Sequence, residues 1–302
     1  MRPRRPHAAA PRAGLVAALL LAAAAGCAHH VPRAGGNPVA RAANGSTRPE
    51  PDSITSALWH LDESVGTVVA DAGPFQLTGV AGPDSRSEYG RIDRARTFIR
   101  SINSFVYVPY NPLLEAGRAF TIEAWIYPAD LGLYEDTPIA ARWSPEPLQT
   151  SWMLSLVGRS STRTGATSPG DHRTLIQLGA PGRVMFAFEP EDAGPPRAFF
   201  SSRPVQLERW THVAATYDGQ VVRIYLDGVL DAQYASPGRV RDSTAPLLIG
   251  NYLDPRWLTS FGGALRVGST ADPVPYYAFW GLIDEVRISS AARADFLYAR
   301  GG

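Results

Sequence analysis

The stretch ERWTHVAATYDGQVVRIYLDGVLDAQY, residues 208–234, decides the fold. Three short runs of β-branched, small and aromatic residues, 210–217, 221–226 and 229–234, are separated by Asp218-Gly219 and Asp227-Gly228. Asp-Gly between apolar runs predicts a hairpin, because a type I′ turn needs positive φ at both central residues. In the middle run Val222, Ile224 and Leu226 share one face while Arg223 and Tyr225 share the other. That period of two marks a sheet with one face buried. The stretch predicts three antiparallel strands and carries no chemistry of its own.

The same punctuation extends in both directions. Strands are expected at 57–61, 68–70, 77–80, 96–98, 104–108, 120–128, 139–143 and 151–157, then at 175–178, 184–188, 198–200, 247–250 and 279–288. In 120–128, Phe120, Ile122, Ala124 and Ile126 lie on one face, and Thr121, Glu123, Trp125 and Tyr127 on the other. Both faces carry bulky groups, as in a sandwich strand whose outer face is partly covered. Residues 158–172 are polar and Gly-rich and read as a loop. Ser290 is placed to cap a final short helix over 291–299. Many short strands with turn signals and few helical patterns define an all-β, two-sheet antiparallel sandwich with a short C-terminal helix.

Composition agrees. At 302 residues, 45% hydrophobic and 19% charged, the chain can build a large core and is not a disordered segment. All 29 basic residues are arginines, and no arginine cluster of nucleic-acid type occurs outside the N-terminus. Arg2, Arg4, Arg5 and Arg12 precede the apolar run 14–25, which is of signal-peptide length and too short to span a bilayer comfortably. Ala24-Ala25-Gly26-Cys27 follows. This resembles a bacterial lipoprotein signal, in which small residues precede an acylated cysteine, although Ala24 stands where leucine is usual. Cys27 is the one cysteine of the chain and the expected lipid-attachment site.

The resemblance implies residues 1–26 as signal peptide and export to the cell envelope. Ala28 after the cysteine implies the outer membrane. Removing 1–26 takes away four arginines and moves the formal net charge from +1 to −3, which does not suit a polyanion partner and argues against nucleic acid. Residues 27–53 read as a flexible tether, and its His29-His30 pair as incidental. The folded domain is expected over 54–302.

Three motifs in order carry a second resemblance. The opening Leu58-Trp59-His60-Leu61 with Asp62-Glu63-Ser64-Val65-Gly66-Thr67 and Asp71-Ala72-Gly73, the strand 120–128, and Phe279-Trp280-Gly281-Leu282-Ile283-Asp284-Glu285-Val286-Arg287-Ile288 are similar to the laminin-G-like, concanavalin A-like jelly-roll domains of bacterial surface proteins. Pro74-Phe75-Gln76 departs from that family's polar segment. The resemblance implies a jelly roll and a structural Ca2+ held by Asp71 and Asp284. The residue-level alternative is that Asp71 caps its turn and Asp284 pairs with an arginine such as Arg287.

Catalytic chemistry is sought with little return. No run places two carboxylates at glycosidase spacing. The densest acidic cluster, Glu189-Pro190-Glu191-Asp192, reads as a solvated turn, and His212, beside Ala214 and Thr216, as structural. The insertion 251–277 exceeds what the fold needs and carries Tyr252, Trp257, Tyr276 and Tyr277, aromatic rings of the kind that stack on sugars. The expected function is a lipid-anchored, non-catalytic envelope module for a glycan or surface-protein ligand. A structural envelope protein and a carbohydrate-active enzyme with an atypical site stay open as alternatives.

Overall fold

Alternating strands build two antiparallel sheets packed face to face. The structure is a computed structural model and describes residues 48–132, 137–143, 149–159, 179–192, 194–252, 258–261, 264–267 and 278–300. Sheet A contains β1 (Thr55–Trp59), β4 (Arg86–Tyr89), β5 (Arg94–Phe98), β7 (Phe120–Pro128), β12 (Thr211–Tyr217), β13 (Val221–Leu226), β14 (Val229–Ala235) and β18 (Gly281–Ser289). Its order is β14-β13-β12-β7-β18-β5-β4, with β1 pairing the second half of β18. Sheet B contains β2 (Val68–Val69), β3 (Gly79–Ala81), β6 (Val106–Val108), β8 (Thr137–Trp143), β9 (Thr150–Leu156), β10 (Arg183–Phe188), β11 (Arg197–Pro204) and β15 (Leu247–Ile249). Its order is β11-β10-β9-β8-β15-β6-β3-β2. The strands β16 (Leu258–Phe261) and β17 (Ala264–Val267) form a separate ribbon. The chain crosses from A to B after β7, returns after β11, and crosses again after β14 before closing with β18. That winding is a jelly roll.

The expected parity holds. Phe120, Ile122, Ala124 and Ile126 enter the core between the sheets, as do Val222, Ile224 and Leu226. Sheet B answers with Trp152, Leu154, Leu156, Val184, Phe186 and Phe188. Phe120 lies 5.6 Å from Trp152 and 5.5 Å from Phe186 between ring centroids, in tilted pairs. Each such fully buried side chain contributes about 1.5–3 kcal/mol. A one-residue slip would expel the whole row, so the register is tightly specified.

The two turns of the 208–234 meander differ. Asp227 and Gly228 both have positive φ (51° and 71°), as type I′ requires. At the first turn Gly219 has φ 84° while Asp218 does not enter that region. There the Asp218 carboxylate instead accepts the N–H groups of Gln220 and Val221. The turn has moved on by one residue, to Gly219-Gln220, with the positive φ of a type II′ hairpin at its first position.

The helix expected over 291–299 is replaced by bends and a three-residue 3-10 turn, Leu297–Ala299. The backbone there is bound elsewhere: the Thr121 hydroxyl donates to the Ala291 carbonyl and accepts the Arg293 N–H, and Ser290 N–H donates to the Ile54 carbonyl. At the sandwich's open side, Asp231 of β14 accepts the N–H of Ser202 and of Arg203 and the Arg203 Nε–H at 2.7 Å, which ties two exposed edges together. The expected strand at 175–178 lies outside the described residues.

Candidate functional site

The outer face of sheet B is apolar along the strands, unlike a solvated sheet. Successive residues alternate, so Trp152 and Leu154 point inward while Met153 and Ser155 point outward. Ala141, Trp143, Met153, Val157, Met185, Ala187 and Tyr252 form one buried cluster, flanked by Ala198 and Phe200. It runs from Trp143 at the end of β8 toward Val157 and Tyr252, roughly 20 Å at strand rise. Two donors in it stand out. Trp143 Nε1 and Ser155 Oγ are buried and have no hydrogen-bond partner among the described residues. Buried donors are normally satisfied; on the outer face of sheet A, Trp125 Nε1 and Thr216 Oγ1 are likewise without a partner among the described residues. Tyr252 belongs to the sheet B face, whereas Trp257, Tyr276 and Tyr277 lie outside the described residues. Trp143, Met153 and Ser155 were missed as site residues, although the apolar residues at both parities of β9 were a signal for a second covered face.

The acidic run 189–192 divides. Glu191 and Asp192 are exposed, but Glu189 is buried and its Oε2 sits 2.6 Å from Arg241 Nη1. Burial raises its carboxyl above the ordinary range, with Arg241 opposing. The expectation of a solvated turn fails at Glu189 because its backbone is drawn into the sheet: its N–H donates to the Ser151 carbonyl and its carbonyl accepts from Arg241.

Sheet A's outer face holds a buried ionic network. Glu123 Oε1 accepts from Arg287 Nε at 2.6 Å, and Oε2 lies 3.0 Å from His212 Nε2. Tyr298 Oη lies 3.2 Å from the same His212 nitrogen and accepts from Arg287 Nη2 at 3.2 Å. Trp125, Ala214, Tyr225, Phe296 and Ala299 close over it. Burial alone would raise the Glu123 carboxyl, but the His212 hydrogen bond and the Arg287 charge hold it below its ordinary value. His212, expected to be structural, is buried within this network. Arg287 pairs with Glu123 and leaves Asp284 to other partners.

Those partners bear on calcium. Asp71 Oδ1 accepts the N–H of Leu58 and of Gly73, both at 2.7 Å, and Oδ2 that of Leu77 at 2.8 Å. Three donors aimed at one carboxylate suit a turn anchor and repel a cation. Asp284 Oδ2 accepts the Ile92 N–H at 3.0 Å and pins the β4–β5 connection, while its buried Oδ1 has no hydrogen-bond partner among the described residues. Burial, then the neighbouring Glu285 charge, raises its carboxyl well above the ordinary range. Among the described residues no group of three or more His, Cys, Asp or Glu could hold a metal ion. One free oxygen does not make a site for an ion that takes six to eight.

Two packed antiparallel sheets with this winding, and outer faces lined by side chains, define a jelly-roll sandwich of lectin type. A family model described as the concanavalin A-like lectin/glucanases superfamily matches residues 100–295, and the chain belongs to that superfamily. No curated protein matches it significantly. Among solved structures it is similar to the binding domain of Paraclostridial Mosquitocidal Protein 1 (12% identity, TM-score 0.55, 82% of this chain and 51% of that one). It is similar also to the botulinum neurotoxin serotype G binding domain (12%, 0.53, 82% and 50%). The chain spans about half the length of these toxin domains. Domain 4 of AbnA, a GH43 extracellular arabinanase from Geobacillus stearothermophilus in complex with arabinotriose, is matched over 97% of its length and 82% of this chain (18%, 0.52). At these identities the likeness is one of fold.

Proposed function

We propose that the chain is a non-catalytic recognition module, tethered to the bacterial cell envelope through a lipid on Cys27, that binds glycan over the outer face of sheet B. The observation that carries this is the pair of buried donors without a hydrogen-bond partner among the described residues, Trp143 Nε1 and Ser155 Oγ, beside Met153, Met185 and Tyr252; all are closed off from solvent here, so a ligand reaches them only once that face is uncovered. Sugars present apolar C–H faces to aromatic and thioether groups and hydroxyl oxygens to donors. The arabinotriose complex of the similar arabinanase domain supports the ligand class. A non-catalytic role is favoured because two of the buried acids, Glu123 and Glu189, are each paired with arginine or histidine. Neither is left as a free acid or base of the kind glycoside cleavage uses.

Trp143→Phe deletes the donor and shortens a buried side chain. It is expected to lower the melting temperature by a few degrees and to weaken glycan binding about tenfold, one hydrogen bond's worth. Ser155→Ala should stabilise slightly, by removing an unsatisfied hydroxyl, while also weakening binding. Glycan-array screening followed by calorimetry measures both. An array with no hit, or affinities untouched by both variants, removes the assignment.

The anchor is tested separately by metabolic labelling with a fatty acid. Label is expected in the native chain and lost in Cys27→Ser, which should leave the membrane fraction. Equal labelling of both chains would refute the lipid anchor. The localisation to the outer membrane is read from Ala28 alone and is checked by density-gradient fractionation.

A further inference from the structure

Arg48 lies ahead of the first strand, within the segment that reads as tether, yet it is bound into the domain. Its Nη2 is 2.5 Å from Asp62 Oδ2 and 3.4 Å from Asp93 Oδ2, and its Nε is 2.9 Å from Glu285 Oε1. The other Glu285 oxygen is 2.6 Å from His60 Nδ1, and the Glu285 side chain is fully buried. The second Asp62 oxygen accepts the Arg94 N–H at 2.9 Å. Arg287 Nη1 reaches back to the Glu50 carbonyl at 3.1 Å, and Arg293 binds both oxygens of Asp52 at 2.7 Å, so the segment is held at several points. Asp284, next in the chain to Glu285, has its Oδ1 buried without a hydrogen-bond partner among the described residues. Such a corner is strongly unfavourable without a cation.

We infer that Arg48 is the built-in counter-ion of this corner, joining Asp62, Asp93 and Glu285 where a metal ion would otherwise be needed, and that residues 48–53 are part of the fold. The oxygens support this. Both of Asp62 and both of Glu285 already face a proton donor, and Asp71, the other expected metal ligand, is saturated by three backbone N–H groups. A guanidinium can serve several carboxylates in one plane through its fork of donors, whereas Ca2+ would have to strip those donors away.

Thermal melts of the mature chain test this. Arg48→Ala is expected to lower the melting temperature by about 5 °C, and Arg48→Lys by less, since a point charge cannot span Asp62 and Glu285. In a Glu285→Gln background the Arg48→Ala shift should be smaller, because the buried charge among the three it answers is gone. The native chain should melt at one temperature in millimolar Ca2+ and in EDTA. Three results would overturn the inference: a Ca2+-dependent rise in the native chain, no shift in Arg48→Ala, or an equal shift in both backgrounds.

Discussion

Arg287→Ala is expected to lower the melting temperature by roughly 10 °C. Glu123 is buried, and Arg287 Nε, at 2.6 Å, supplies the full positive charge closest to it, with Arg293 Nε at 3.7 Å. Removing one partner of a buried pair costs about 3–5 kcal/mol, because the other charge stays behind in a poor solvent. The double variant Glu123→Leu/Arg287→Met should melt much closer to the native chain, since neither charge remains. If Arg287→Ala alone melts with the native chain, Glu123 is not the buried anion described. The pair also predicts acid behaviour. Glu123 is held below its ordinary value of 4.5, so the stability it brings is present above that value and is lost as pH falls through the depressed one. The melting-temperature gap between the native chain and Glu123→Gln should therefore be widest near neutrality and close below about pH 4. Asp52, held low by Arg293, moves the same way, while Asp284 and Glu285, raised mainly by burial, move oppositely. All three are common to both chains and cancel in the difference.

Such pairs explain where sequence reading stops. The parity of 120–128 and 221–226 was legible because a two-residue period is local, and Asp227-Gly228 because its turn is. Glu123 and Arg287 are 164 residues apart, Arg48 and Glu285 237. Alternation places Glu123 on an outer face but cannot say that β18 brings an arginine beside it. Irregularities hide more. A bulge in β18 between Asp284 and Arg287, with Glu285 at φ 52°, lets Ile283 and Val286 both face the core and turns Glu285 toward Arg48 and His60. Arg142, inside an apolar strand, is fully buried because its guanidinium donates to the carbonyls of Leu114, Ser243 and Ala245 at the end of the sandwich. Of the four aromatic residues singled out in the insertion, Tyr252 is the one described, and it packs on the outer face of sheet B. That face needed the register of β8, β9 and β10 to become visible.

Gly281→Ala is the second large effect, and its size follows from geometry alone. Gly281 opens β18 with φ 143°, a backbone conformation that a Cβ disfavours. A Cβ there would sit 2.0 Å from the Tyr127 carbonyl oxygen and 2.9 Å from the Ala129 nitrogen. Neither can retreat. Gly281 lies between Pro128 of β7 and Phe98 of β5, and the Ala129 N–H donates to the Trp280 carbonyl at 2.8 Å, so moving one strand breaks the pairing of another. Backbone strain of about 1–3 kcal/mol and overpacking of about another 1–3 place the loss near 4 kcal/mol, roughly 10 °C. Gly66→Ala is the control. Gly66 has φ 83°, but a Cβ on it would meet nothing within 4 Å, so only the backbone strain applies and the shift should be a few degrees at most. Equal shifts for the two variants would mean that β18 does not approach β7 as described. A Gly281→Ala shift at least twice that of Gly66→Ala fixes the crossing where the chain returns from the aromatic insertion and pairs β18 between the two halves of sheet A.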